Sequence, residues 1–235
     1  MKRSSRHHQS AAASWSLREP TKVESNGFRV AIIGAGYAGL TLARSLQYPQ
    51  AVSIDGRPVE VIVLEARDSL DGIEVGGDLI VPQGEKVLQQ MGLSSQWAAM
   101  RTSESSVPRQ ALQLVLARSL RPGTLQCGCS VGWIEEAEDD QLILGIRGRN
   151  GERHGSMGPY NLVVLAPGMS QSPIQTWASL WQQSAARILV VGDAQWAQGR
   201  WWDLGLARIR RGADIALWDG QELAQCLRSS LTCSS

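Results

Sequence analysis

Histidine is scarce in this chain. Only His7, His8 and His154 occur among 235 residues, and the first two stand in a polar N-terminal stretch. A His-centred catalytic triad or a multi-histidine metal site therefore has almost no material. The four cysteines make no zinc pattern, since Cys127 and Cys129 form C-x-C while Cys226 and Cys233 stand apart. They read as reduced thiols of a cytoplasm-like compartment. No run approaches the roughly 18 apolar residues of a membrane span, so no integral membrane segment is expected. Neither sign of charge is in excess, with 23 basic against 22 acidic side chains. That balance argues against a nucleic-acid partner, whose phosphates demand a basic surplus.

What is present is enough apolar material, 43% of the residues, for one or two cores. A single Phe accompanies nine Trp, and 20 of the 23 basic residues are Arg. Residues 1–27 are rich in Ser, Ala and Arg, with no acidic residue before Glu19. They read as a disordered basic leader or, sharing that acid-poor character, as an organelle transit peptide. The expected location is cytoplasmic, with organelle import through residues 1–27 as the alternative. Residues 28–227 form the expected folded domain and 228–235 a flexible tail.

Periodicity changes abruptly at Phe28. Residues 28–33 (FRVAII) are a short β-branched run, 34–39 (GAGYAG) a glycine-rich turn, and 40–47 carry Leu40, Leu42, Ala43 and Leu46 at helical spacing. Residues 59–64 (VEVIVL) read as a buried parallel strand, and 48–58, with Pro49, Asp55-Gly56 and Pro58, as a surface loop. Together they predict a βαβ unit. A short helix is predicted over 85–91 and a longer one over 108–120, and a β-meander over 126–153 whose acidic turn, 135–140, lacks calcium-loop spacing. Strands follow at 161–166 and 187–191, then a helix over 212–227. The expected class is α/β: a Rossmann-like fold of parallel sheet and helices plus a β-meander.

The strongest motif is Gly34-Ala35-Gly36-Tyr37-Ala38-Gly39, a G-x-G-x-x-G between strand and helix. In that setting Gly34 permits the turn, Gly36 admits a pyrophosphate, and Gly39 lets helix and strand approach. The helix N-terminus then faces the phosphates. Glu65, followed by Ala66 and Arg67, ends the next strand, where its carboxylate suits the two hydroxyls of an adenosine ribose. Glu65 lies 31 positions after Gly34, against about 20 in a compact unit. The surplus falls in the loop 48–58.

The stretch FRVAIIGAGYAGLTLARSL with VIVLEAR resembles FAD-binding flavoproteins more than NAD dehydrogenases. Further blocks, residues 77–93 (GDLIVPQGEKVLQQMGL), 109–116 (RQALQLVL), 161–172 (NLVVLAPGMSQS), 191–194 (VGDA) and 212–223 (GADIALWDGQEL), occur in the order found in class A flavin monooxygenases, the p-hydroxybenzoate hydroxylase-like aromatic-ring hydroxylases. The resemblance spans about residues 28–227. It implies FAD as cofactor, with Arg109, in R-x-x-L-x-x-x-L, approaching the pyrophosphate; a guanidinium fork suits that role. It also implies Gly192-Asp193 on the ribityl hydroxyls and Gly212-Ala213 at the flavin's pyrimidine edge.

The departures from that pattern are specific. Pro167-Gly168 stands where the family has Asp-Gly, Trp196 where it usually has His, and Arg210-Arg211-Gly212 where it has Gly-x-Gly. Residues 94–108 and 169–186 are too short to build the family's substrate sheet, so the chain resembles a shortened member with its substrate domain largely absent. Trp177, Trp181, Trp196, Trp201 and Trp202 cluster near the missing cover, as filling for apolar volume or as a partner surface. Two functions follow as expectations. One is an FAD-dependent, monooxygenase-like oxidoreductase, reduced by NAD(P)H and passing electrons to O2 or a small organic substrate, with no evident catalytic side chain and no metal. The other is a non-catalytic flavin-binding subunit acting through its Trp-rich face on a protein partner that completes the site. A plain NAD(P)-binding Rossmann protein is disfavoured by Asp193 and the meander.

Overall fold

The computed structural model describes residues 26–49, 53–54, 56–71, 77–137, 141–148, 151–166, 188–191 and 212–229. Strand β1 (Phe28–Ile33), helix α1 (Tyr37–Gln47) and strand β3 (Arg57–Glu65) form the expected βαβ unit. On β1 the side chains alternate: Val30 and Ile32 pack among the helices, while Ala31 and Ile33 pack on the opposite side. Such a strand, apolar on both faces, is stable only with both faces covered.

Five strands run parallel in the order β6 (Leu125–Cys127), β3, β1, β10 (Leu162–Leu165), β11 (Ile188–Val190). One face is covered by α1, α4 (Arg109–Arg118) and α5 (Gly212–Ser229). The other carries the antiparallel sheet β7 (Ser130–Glu136), β8 (Leu142–Arg147) and β9 (Arg153–Tyr160), whose Ile134, Leu144, Ile146 and Tyr160 meet Leu64, Val163 and Leu165 of the parallel sheet. The molecule is thus a mixed α/β fold of three layers: helices, parallel sheet, meander. Helix α5 comes unusually close to α1 at Gly220, where a Cβ would stand 2.4 Å from the Ala38 carbonyl oxygen.

Several elements differ from the sequence reading. The loop 48–58 contains β2 (Ser53–Ile54), which turns back on the start of β3 through Gly56 at φ +73. The first two residues of the meander expected over 126–153 instead belong, with Leu125, to β6, which joins the parallel sheet beside β3, and Gly128 at φ +74 swings the chain from one sheet to the other. Residues 94–108 hold helix α3 (Ser94–Met100) and strand β5 (Ser106–Pro108), which pairs with β4 (Asp78–Ile80) as a two-stranded ribbon. The helix expected from Pro108 begins one residue later because Pro108 closes β5 and stands at the N-cap. Helix α2 (Gly84–Gln90) matches the short helix expected there, and α5 ends two residues beyond its expected Leu227. Among the described residues no helix is long and apolar enough to cross a membrane.

Candidate functional site

The carboxyl ends of β1, β3 and β10 lie side by side; from β1 the chain crosses through α1 to β3 on one side, while β10, which follows β9 much later in the chain, pairs with β1 on the other. That divergence is the usual ligand crevice of an open parallel sheet. Residues 34–39 occupy it. Gly34 has φ +110 and donates its N–H to the Leu64 carbonyl at 2.8 Å, so the turn itself requires glycine. At Gly39 a Cβ would lie 2.2 Å from the Gly34 oxygen and 3.2 Å from both Ala166 Cβ and Ile32 Cγ2, so close packing requires it there.

Gly36 is different. Its φ of −75 and ψ of 178 are open to any residue, and the nearest atom to a Cβ would be the Ala166 oxygen at an ordinary 3.7 Å. Among the described residues neither backbone strain nor packing explains glycine at this position. Gly36 is also the N-cap of α1, with no side-chain cap and no acidic residue in the first turn. The helix therefore presents the positive end of its dipole without a capping side chain from Gly36.

Glu65 ends β3 and is 8% exposed. One carboxylate oxygen accepts the Ala35 N–H at 2.8 Å, and the other accepts the Arg67 backbone N–H at 3.0 Å and Arg67 Nε at 2.9 Å. Burial alone would raise its pKa, but the Arg67 side-chain bond, the Arg67 and Ala35 backbone donors and the Arg67 charge together hold it below the ordinary carboxylate range. It is a fixed anion with lone pairs left for further donors. Ala66 is exposed beside it.

Arg109 opens α4, and its buried Nε has no hydrogen-bond partner among the described residues. A charged donor left so is costly, and an anion is its natural complement. The helix is fastened to the glycine loop twice: the Tyr37 hydroxyl donates to the Arg109 carbonyl at 3.0 Å, and Gln113 Nε2 donates to the Ala35 carbonyl at 2.6 Å. The structure thus brings together residues 34–39, Glu65, Arg67 and Arg109. Gly212 and Ala213 begin α5, while Gly192, Asp193 and the Trp residues from 177 to 202 lie outside the described residues.

Sequence reasoning missed Gln113, although it stands one helical turn after Arg109 on the same face. It also missed residues 127–129, whose Gly128 and Cys129 N–H groups bond the Arg67 and Glu65 carbonyls at 2.7 and 2.8 Å. Burial, then the Glu65 charge, raises the Cys127 thiol pKa, and burial raises that of Cys129. Both remain thiols near neutrality and are poor nucleophiles. Among the described residues no group of three or more His, Cys, Asp and Glu could hold a metal.

Solved structures supply a comparison. An HpxO variant from Klebsiella pneumoniae, complexed with FAD, superposes with a TM-score of 0.54 over 88% of this chain and 83% of that one, at 13% identity. The chain shares the fold of an FAD-bound protein. The tetracycline destructase Tet(55) matches at TM-score 0.47 and 20% identity over 61% of this chain, and the match spans only 39% of the destructase. A putative FAD-containing monooxygenase from Photorhabdus luminescens matches at TM-score 0.47 and 19% identity, over 65% of this chain and 43% of its own. No protein-family profile matches the chain, and no curated protein does.

Proposed function

We propose that this chain binds FAD and works as an FAD-dependent oxidoreductase of the monooxygenase type, a shortened relative of the aromatic-ring hydroxylases. The observation that carries the reading is Gly36, a glycine that neither its own conformation nor its neighbours among the described residues require. A ligand that needs the backbone at van der Waals distance explains it, and the positive end of the α1 dipole favours an anionic one. The unpartnered Arg109 Nε adds a charged donor, and Glu65 an acceptor for ribose hydroxyls. Together they suit the adenosine diphosphate half of FAD. Gly192, Asp193, Gly212 and Ala213 are assigned to the flavin half by resemblance.

In this reading residues 34–39 cradle the pyrophosphate, Arg109 neutralises it, and Glu65, held ionised by Arg67, orients the ribose. Bound FAD would supply the redox chemistry, taking two electrons from NAD(P)H for O2 or a small organic substrate. One observation favours the second reading, a non-catalytic flavin-binding subunit completed by a protein partner. Among the described residues the ribbon β4–β5 has two strands where the resemblance implies a substrate sheet, and Ile80 on it is 37% exposed.

The visible spectrum decides. Protein incubated with FAD and desalted is expected to keep the oxidised-flavin bands, and NADH or NADPH to bleach them without oxygen. A colourless protein overturns FAD binding; a yellow one that neither nicotinamide bleaches favours the subunit.

A further inference from the structure

We infer that Tyr37 and Gln113 are positioning residues that hold Arg109 over the phosphate cradle, so that anion recognition by α4 depends on two side chains that need not touch the ligand. This rests on the FAD reading above. Three observations carry it. Arg109 is the first residue of α4, and its buried Nε is unpartnered among the described residues. The Tyr37 hydroxyl reaches the carbonyl of that same residue at 3.0 Å from the first position of α1. One turn further along α4, Gln113 Nε2 reaches back at 2.6 Å to the carbonyl of Ala35, whose own N–H is held by Glu65.

The bonds run in opposite directions, from loop to α4 and from α4 to loop. Together they fix both the distance and the rotation of the first turn of α4 against Gly34–Gly39. A single bond would leave the helix free to pivot, and the long Arg109 side chain would turn a small pivot into a large displacement of its guanidinium. The bonds of Ala35 to Glu65, of Gln113 to Ala35 and of Tyr37 to Arg109 thus tie the ribose acceptor and the first turn of α4 to the same glycine loop. The Arg109 carbonyl is also engaged within α4, so the Tyr37 bond adds little to helix stability and its purpose is placement.

A double-mutant cycle on FAD affinity tests this. Tyr37→Phe and Gln113→Leu, made separately, are expected to weaken FAD binding about 3–10-fold, as for loss of one neutral hydrogen bond. Arg109→Ala is expected to weaken it about 10–100-fold. In the Arg109→Ala background, adding Tyr37→Phe or Gln113→Leu is expected to change affinity less than about twofold, since no guanidinium remains to position. Thermal unfolding of the apoproteins separates placement from folding, and Tyr37→Phe is expected to leave the midpoint unchanged. Equal losses in both backgrounds, or no loss in the wild-type background, overturn the inference while FAD binding stands. A wild-type protein that takes up no FAD overturns the reading beneath it.

Discussion

The Glu65 carboxylate accepts the backbone N–H of Ala35 at 2.8 Å, joining the end of β3 to the glycine loop 30 residues earlier. Because Arg67 binds the other oxygen through both its backbone and its side chain, the carboxylate cannot swing away from the loop. Strand end, turn and helix start are thereby one rigid unit at the carboxyl edge of the sheet. The ion pair with Arg67 is half in solvent, its arginine side chain 38% exposed, so its weight lies in orientation more than in stability.

That unit gives Glu65 a definite pH signature. Its native pKa lies below its ordinary value of 4.5, so its stabilising contribution is complete above that value. The contribution is lost as pH falls from 4.5 through the lowered native pKa. Glu65→Gln is expected to flatten this acid limb. Urea unfolding of both proteins from neutrality to about pH 3 measures it, and parallel pH profiles contradict the assignment.

Gly39 is a packing position. Gly39→Ala places a methyl 2.2 Å from the Gly34 oxygen, a backbone atom that moves only with the turn. The expected loss is about 1–3 kcal/mol, read as a fall in Tm, and FAD affinity should drop with it because the turn is displaced. Unchanged stability would mean that α1 and β1 stand farther apart than described.

Arg109 trades stability for binding. Its buried Nε has no hydrogen-bond partner among the described residues, so Arg109→Met, which keeps the stem, is expected to raise the stability of the FAD-free protein by about 1–2 kcal/mol. The same change is expected to weaken FAD binding at least about tenfold. Calorimetry and a flavin fluorescence titration check both halves. A less stable apoprotein with intact FAD binding contradicts the role given to this side chain.

On the far layer, Trp133 lies across Gly145, its register partner on β8, where a Cβ would fall 1.8 Å from the indole. The Arg153 guanidinium stacks over the same ring at 4.4 Å. Gly145→Ala is expected to displace the indole and lower stability by about 1–3 kcal/mol, with a shifted tryptophan emission. FAD affinity should be unmoved, since the meander covers the sheet face away from α1 and α4. Coupled loss of FAD would show that the two layers are not independent.

Much of this was legible in the residues. The β-branched run at 28–33, the glycine turn and the leucine spacing of 40–47 state a βαβ unit because one period gives way to another at the turn. Glu65 was readable as a strand end carrying charge. The placement of Leu125–Cys127 was not, since a three-residue run carries no period and only pairing with β3 reveals its sheet. Nor was the Gly128 swing, or the ribbon β4–β5, whose strands of three residues are separated by two helices. The distinction among the three motif glycines was equally invisible: the sequence shows equivalent letters, and only coordinates show that Gly34 serves the turn, Gly39 the packing, and Gly36 neither.

That distinction makes Gly36→Ala the most direct test of the central claim. Among the described residues its Cβ would meet only the Ala166 oxygen at 3.7 Å, in a backbone conformation alanine adopts freely. Isothermal titration of FAD into the wild type and the variant, with Tm measured on both apoproteins, is the measurement. The account predicts saturable binding by the wild type, affinity at least about tenfold weaker in the variant, and no loss of stability. FAD binding that is as tight in Gly36→Ala as in the wild type would contradict it.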